Sequence, residues 1–134
     1  MPVPWLLVVA FLSQDMLLYD RDRVAVELYL ETAKGSIQLV LIPDGKPKAN
    51  AYGNFALGYG GQLHTDLDQP NPAFFHHVDW VVKRAGAKGL QVRLLAPGSS
   101  SGFSSEKRTA FVLYLRKRYE RNRRVQVTEP ASSP

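Results

Sequence analysis

Apolar residues in this chain come in short bursts, and the period within each burst identifies the element it forms. The first burst, Trp5 to Leu12 in MPVPWLLVVAFLSQ, is apolar without alternation. It suits a buried first strand or the h-region of a secretory signal, although Met1 to Pro4 carry no basic side chain. The stretch is too short to span a bilayer, which takes about 20 residues. RVAVELYLETAK follows at residues 23–34, with Asp20 or Asp22 placed to cap a helix. Val24, Leu28 and Glu31 share one side of that helix, with Leu30 and Ala33 beside them, an imperfect apolar stripe. Gly35 suits the position just past its end. SIQLVLI at 36–42, rich in β-branched residues and bounded by Gly35 and Pro43, predicts a short buried strand.

From Pro43 to Asn71 neither period is present. The helix signal then returns at its clearest in NPAFFHHVDWVVKRAGAKG. Asn71 is a good cap, Pro72 fits the first helical position, and Phe74, Val78, Val81, Val82 and Ala85 form one face. Gly89 ends it, and LQVRLLAP predicts a second buried strand. Ser104 or Ser105 caps EKRTAFVLYLRKRYE, whose Phe111, Tyr114, Leu115 and Tyr119 face inward. RRVQVTE predicts a last strand, cut short by Pro130. The alternation implies α/β architecture with right-handed βαβ units around a parallel sheet, open or closed. One domain covers 1–134, with βα units over 20–129 and a flexible tail at 130–134. No Gly-rich phosphate fingerprint follows a strand, and no cofactor is expected.

Composition narrows the picture only in places. With 45% hydrophobic and 22% charged residues, the chain is ordinary for a globular protein. Cysteine is absent, which excludes disulfides and thiolate metal sites. The net charge of +5 is concentrated late, in Lys107, Arg108, Arg116, Lys117, Arg118, Arg121, Arg123 and Arg124, opposed there by Glu106 and Glu120. That cluster raises an alternative function: a small basic module using residues 116–124 on nucleic acid or another polyanion. Against it, Tyr114 and Tyr119 fall on the apolar face, and a charge run is usually a solvated face. The histidines are His64, His76 and His77. The last two are adjacent on a helix and diverge, which makes a poor metal pair. Asp79 and Lys83 have the spacing of a helix-supporting ion pair, and Trp80 is expected to pack against a neighbouring helix or be half exposed.

The long irregular segment carries the candidate chemistry. KANAYGNFALGYGG, residues 48–61, contains four glycines, two asparagines and two tyrosines. Loops leaving the C-terminal ends of parallel strands build ligand sites, and unstructured loops beyond about 12–15 residues are usually functional or disordered. Rings beside amides and carboxylates suit a saccharide, with stacking on C–H faces and grips on hydroxyls. Asp44, Asn50, Tyr52 and Asn54 are the candidate substrate contacts. An ordered loop packed by its own side chains is the competing reading.

Taken in order, IQLVLIPDG and NAYGNFAL, then NPAFFHHVDWVVKRAGAKGLQVRLLAP, then YLRKRYERN resemble the apiosidase-like glycoside hydrolases from about Arg23 to Asn122. The resemblance implies a TIM barrel acting on plant cell-wall polysaccharides, here a partial (β/α) TIM-barrel-like unit of about four parallel strands with alternating helices. It implies a pectic or other plant polysaccharide as partner. The family's first strand usually ends in Gly-Asp-Thr-X-Trp, where this chain has AFLSQDMLLY. Its fourth strand delivers a Gly-Gly-Asp carboxylate, with a later glutamate, where this chain has VQVTEPASSP. Glu129 is the sole, weak candidate acid, and glycosidic chemistry needs two carboxylates. The expectation is therefore a carbohydrate-active relative, truncated or divergent, inactive alone. An unclosed half barrel would expose sheet edges and an apolar strand face, inviting self-association. The pattern leaves a cytoplasmic or a secreted location open.

Overall fold

The computed structural model describes residues 17–43, 48–59, 62–63, 67–98 and 101–128. In chain order the elements are α1 (Leu17–Asp20), α2 (Arg23–Thr32), β1 (Ser36–Val40), β2 (Gly58–Tyr59), β3 (Gln62–Leu63), α3 (Pro72–Ala87), β4 (Gln91–Leu95), α4 (Ser105–Arg118) and β5 (Val125–Thr128). Strands β1, β4 and β5 form a parallel sheet in that spatial order. This is the partial (β/α) barrel-like unit, with three parallel strands among the described residues. The apolar run at 5–12 and the tail at 130–134 lie outside them.

Period-two alternation decides the sheet's faces. Ile37, Leu39, Val92 and Leu94 are buried against the helices. The opposite face carries Ser36 beside Gln91, then Gln38, Arg93 and Gln126 in one row, then Val40, Leu95 and Thr128 in the next. Among the described residues that face is mixed, polar at Ser36, Gln38, Gln91, Arg93 and Gln126 and apolar at the half-buried Val40 and Leu95. Buried side chains of SIQLV and QVRLL all fall on the helix side, and Gln91, Arg93 and Gln126 are exposed on the other.

Caps form where polar side chains can reach free amides. Asp22 Oδ1 accepts from Ala25 N at 2.9 Å, Asn71 Oδ1 from Ala73 N at 3.1 Å, and Ser104 Oγ from Lys107 N at 3.2 Å. In α2 the buried residues are Val26 and Leu30. Val24 and Leu28, expected inward, are 70% and 61% exposed. The helix turns its β-branched Val26 and the i+4 Leu30 to the core, a narrower stripe than the sequence suggested.

Helix α3 is the centre of the molecule. Phe74, Val78, Val81 and Ala85 are fully buried on its sheet side. Residues 75, 79, 82 and 86 make a second stripe facing α4, and 77, 80, 84 and 88 a third facing α2. Helix α4 answers with Phe111, Val112 and Leu115 buried, Tyr119 nearly so and Tyr114 partly. The segment between β1 and α3 has more order than its composition implied. Strands β2 and β3 pair antiparallel, Leu57 bridges Pro70, and Gly58 N donates to Gln69 O at 2.7 Å. Two-residue strands are too short to show a period in sequence.

Candidate functional site

Because β1 and β4 run parallel, the loops after them, 41–71 and 96–104, leave the same end of the sheet. The N-termini of α2, α3 and α4 lie at that end too. Several ties close it. The Tyr19 hydroxyl donates to the carbonyl of Leu41, just beyond β1, and burial pushes that phenol's pKa well up. Lys48 pairs with Asp20, and Lys107 in the first turn of α4 reaches Asp68 at 3.3 Å. Asn71, fully buried, caps α3 and sends its Nδ2 to Phe55 O at 2.8 Å. The two loops and three helix starts thus share one rim.

Within that rim the Asn50–Asn54 segment, NAYGN, is a tight closed turn. Asn50 Oδ1 accepts from the amides of Tyr52 at 2.9 Å and Asn54 at 3.1 Å. Its own amide donates to Asn54 O at 2.8 Å, and Gly53 N donates to Asn50 O at 3.0 Å. Gly53 has φ +80°, a conformation that side chains with a Cβ resist. Asn50 is 5% exposed, and its Nδ2 has no hydrogen-bond partner. Its carbonyl is thus a scaffold atom and its amide nitrogen a donor not yet used. Tyr52 is 48% exposed, and its hydroxyl accepts from Arg23 N at 2.8 Å, joining the loop to the start of α2. Asn54 is half-buried, with its backbone in the turn. Asp44, His64 and Glu129 lie outside the described residues.

One feature of the rim was not foreseen from the sequence. His77 is 3% exposed, while its neighbour His76 is exposed, so the two rings do diverge. The His77 ring lies parallel to that of Trp80, 6.1 Å away at 10°, and meets Tyr52 edge-on at 5.2 Å. The Arg23 guanidinium covers the Trp80 ring at 5.0 Å. Neither imidazole nitrogen has a partner. Burial, and then the charge of Arg23, hold its pKa below the usual histidine value. The signal was present in the sequence: His77 stands three residues after Phe74 and four before Val81, on the buried side of the helix.

Asp79 does not serve Lys83 as the spacing suggested. Its carboxylate accepts from Arg118 Nε at 3.0 Å and Nη2 at 2.6 Å, and from the Tyr119 hydroxyl at 2.6 Å. A planar fork on α4 outcompetes a flexible lysine on the same helix. Arg118 Nη1 also donates to the Tyr114 hydroxyl at 3.2 Å, and the guanidinium covers the Phe75 ring at 5.5 Å. Burial, then the bond to Asp79, raises the Tyr119 hydroxyl pKa. Toward the C-terminal ends of these helices a groove of about 480 Å³ is lined by Arg118, Tyr119, Arg121, Arg123 and Arg124 with Gly86 and Asn122. It lies where α3 and α4 end, at the opposite end of the sheet from the rim. Among the described residues no group of three His, Cys, Asp or Glu could hold a metal ion, and no helix is long and apolar enough to cross a membrane.

The model of the apiosidase-like catalytic domain family matches residues 16–127. Among solved structures, a glycoside hydrolase superposes with a TM-score of 0.67 at 21% identity, covering 85% of this chain and 27% of its own. A glycoside hydrolase family 5 protein from Bacteroides vulgatus gives 0.64 at 18% identity, covering 85% and 26%. These likenesses establish the fold, and this chain spans about a quarter of the length of either structure. No curated protein matches. With the family model covering most of its length, the chain belongs to the apiosidase-like family, within its catalytic domain, and is a relative of carbohydrate-active enzymes.

Proposed function

We propose that this chain contributes the saccharide-gripping rim of an apiosidase-like site, and that alone it binds saccharide without hydrolysing it. The observation that carries this reading is the gathering of both β-to-α loops and three helix starts at one end of the sheet. The half-exposed Tyr52 ring and the unused Asn50 amide donor belong to that rim. The exposed ring suits a sugar's C–H face, and the buried Asn50 donor reaches a hydroxyl only when the turn opens. Catalysis is a separate requirement. Glycosidic cleavage takes an acid and a second carboxylate at set separation. Among the described carboxylates at this end, Asp20 and Asp68 are each tied to a lysine, Asp22 caps α2, and Glu106 lies in the first turn of α4. Pectic and other plant cell-wall oligosaccharides are the substrate class to test, with Asp44, Asn50, Tyr52 and Asn54 as contacts.

The test is titration of purified protein with pectic oligosaccharides, followed by saturation-transfer NMR and Tyr fluorescence. Binding that weakens in Tyr52→Ala supports the reading; no binding at millimolar saccharide overturns it. Turnover of aryl glycosides that vanishes in Glu129→Gln would overturn the inactivity. The alternative, polyanion binding through residues 116–124, has a simpler account. The arginines of that groove sit at the C-terminal ends of α3 and α4, where cations complement the helix dipoles. Tyr119 borders that groove, but its hydroxyl is held by Asp79 and only 9% of the residue is exposed, which leaves little ring for a base. A nucleic-acid shift that falls steeply with salt would favour that alternative.

A further inference from the structure

We propose that His77 is an acid-sensitive latch on the Asn50–Asn54 turn. While neutral it closes the turn onto α2 and α3, and protonation releases it.

Three elements meet at this side chain. From the rim loop, the Tyr52 ring meets the imidazole in a T-shaped contact at 5.2 Å, and its hydroxyl accepts from Arg23 N. From α3, Trp80 lies parallel to the imidazole. From α2, Arg23 covers the Trp80 ring with its guanidinium. The neutral imidazole acts here as a flat aromatic spacer, and both of its nitrogens are buried without partners. An imidazolium in the same place would carry two N–H donors and a positive charge with nothing to accept them.

The charged neighbours make this worse. Arg23 is a cation. Asp22 beside it is taken by the Ala25 amide, and Asp79 on the same helix as His77 is taken by Arg118 and Tyr119. His76 faces solvent, and the Tyr52 hydroxyl already accepts from Arg23 N. No carboxylate hydrogen-bonds the imidazole in compensation. Protonation therefore drives the ring toward water, and the least anchored of its partners is the half-exposed Tyr52. Tyr52 moves with its turn, because the Tyr52 and Asn54 amides share the single acceptor Asn50 Oδ1. Opening would also uncover the buried Asn50 Nδ2.

The sign follows from linkage. His77 has a depressed pKa when folded, so the closed state is fully stable above the unfolded histidine value of about 6.5 and loses stability as pH falls below it. The loss levels off at the folded pKa.

Amide hydrogen exchange by NMR, corrected for intrinsic rates, tests this between pH 7.5 and 5 with histidine ring signals followed alongside. The expected result is loss of protection at Tyr52 and Asn54. It should reach about tenfold for each pH unit between the unfolded and folded pKa values. The loss should flatten in His77→Phe, while Val92 and Leu94 in the central strand stay protected in both proteins. Three results overturn the latch. They are a His77 ring titrating at or above about 6.5, loss of protection that persists in His77→Phe, and titration of His77 that leaves Tyr52 and Asn54 unchanged. The latch's bearing on saccharide rests on the function proposed above. The exchange measurement contains no saccharide, so its failure breaks the latch alone. Absence of saccharide binding at pH 7.5 breaks the function reading and leaves the exchange result to decide the latch.

Discussion

Helix α3 meets its neighbours along two flanks, and they solve the burial of polar groups in opposite ways. Toward α4, the Asp79 carboxylate collects two bonds from Arg118 and one from Tyr119, and Arg118 reaches on to Tyr114. Below that network sits an aromatic cluster, with Phe75 edge-on to Phe74 at 5.5 Å and to Tyr114 at 5.5 Å. Toward α2, at the rim end, His77 is buried with no bonds at all, held by ring contacts alone. A satisfied network rigidifies, and an unsatisfied buried group marks a place where stability has been given up. The α4 flank is thus a structural seam. The α2 flank borders the loop that is the candidate for saccharide, and its packing depends on a protonation state.

The contrast is most readily broken by removing one aromatic from each flank. Phe75→Ala should destabilise by about 3–5 kcal/mol, the usual range for a fully buried phenylalanine. Trp80→Ala, from a half-buried site, should cost clearly less despite the larger ring. Urea midpoints at constant m-value measure both. Equal losses would mean that the α2 flank carries as much of the core as the α4 flank. The next effect down is Asp79→Ala, which leaves Arg118 and Tyr119 unpaired. The pair is partly exposed, 27% for the Arg118 side chain and 41% for Asp79, so the loss should be about 1–2 kcal/mol. A double-mutant cycle with Arg118→Met checks that the two side chains couple.

The same contrast explains what the sequence could tell. Elements whose chemistry is local were legible: the Asn71–Pro72 start of α3, the Ser104 cap, and the strands after Gly35 and Gly89 formed where expected, although each strand is buried on one face only. Local chemistry also misled where a longer-range partner was stronger. Asp79 has Lys83 one turn away, yet Arg118 takes it from thirty-nine residues further along the chain. Val24 and Leu28 satisfy a helical period, but α2 docks on Val26 and Leu30 because the sheet and α3 decide which stripe is covered. At the rim, the asparagines of NAYGN suggested ligand contacts. An Asx-type turn uses the same residues to close a loop, and only the hydrogen bonds separate the two roles. For His77 the spacing from Phe74 and Val81 was legible, but nothing local in the sequence shows that a buried imidazole has no hydrogen-bond partner.

A smaller effect with an opposite sign comes from the imidazole itself. His77→Phe removes two unpartnered nitrogens and keeps a flat aromatic between Tyr52 and Trp80. It should stabilise the protein by about 1 kcal/mol at pH 7.5, set by the desolvation of an unsatisfied polar group. The advantage should widen as pH falls below about 6.5, since the wild type alone loses stability there. Thermal melts of the two proteins from pH 7.5 to 5 measure the difference. A destabilised variant would mean that the imidazole has a partner in solution after all.

The weakest effect lies at the other end of the α2 flank, where Glu27 meets Arg84 and Lys88. Arg84 is held by both Glu27 oxygens, and Lys88 Nζ stands 3.9 Å from Oε2. The Arg84 hydrogen bond first, then the charges of Arg84 and Lys88, hold the Glu27 pKa below the ordinary glutamate value. A depressed carboxylate contributes stability that is present above its unfolded pKa and lost as pH falls through the folded one. Its pH window therefore lies below that of His77, in the acid range where carboxylates titrate. Glu27→Gln should change the midpoint little at neutral pH, because both side chains remain wet, 29% exposed for Glu27 and 41% for Arg84. What difference exists should shrink further in high salt, as exposed pairs are screened. The His77 effect, which comes from desolvation, should persist in the same salt. Running both variants at low and high ionic strength separates the two ends of one helix seam. If the Glu27→Gln difference survives salt while the His77→Phe difference disappears, the assignment of wet and dry ends is reversed.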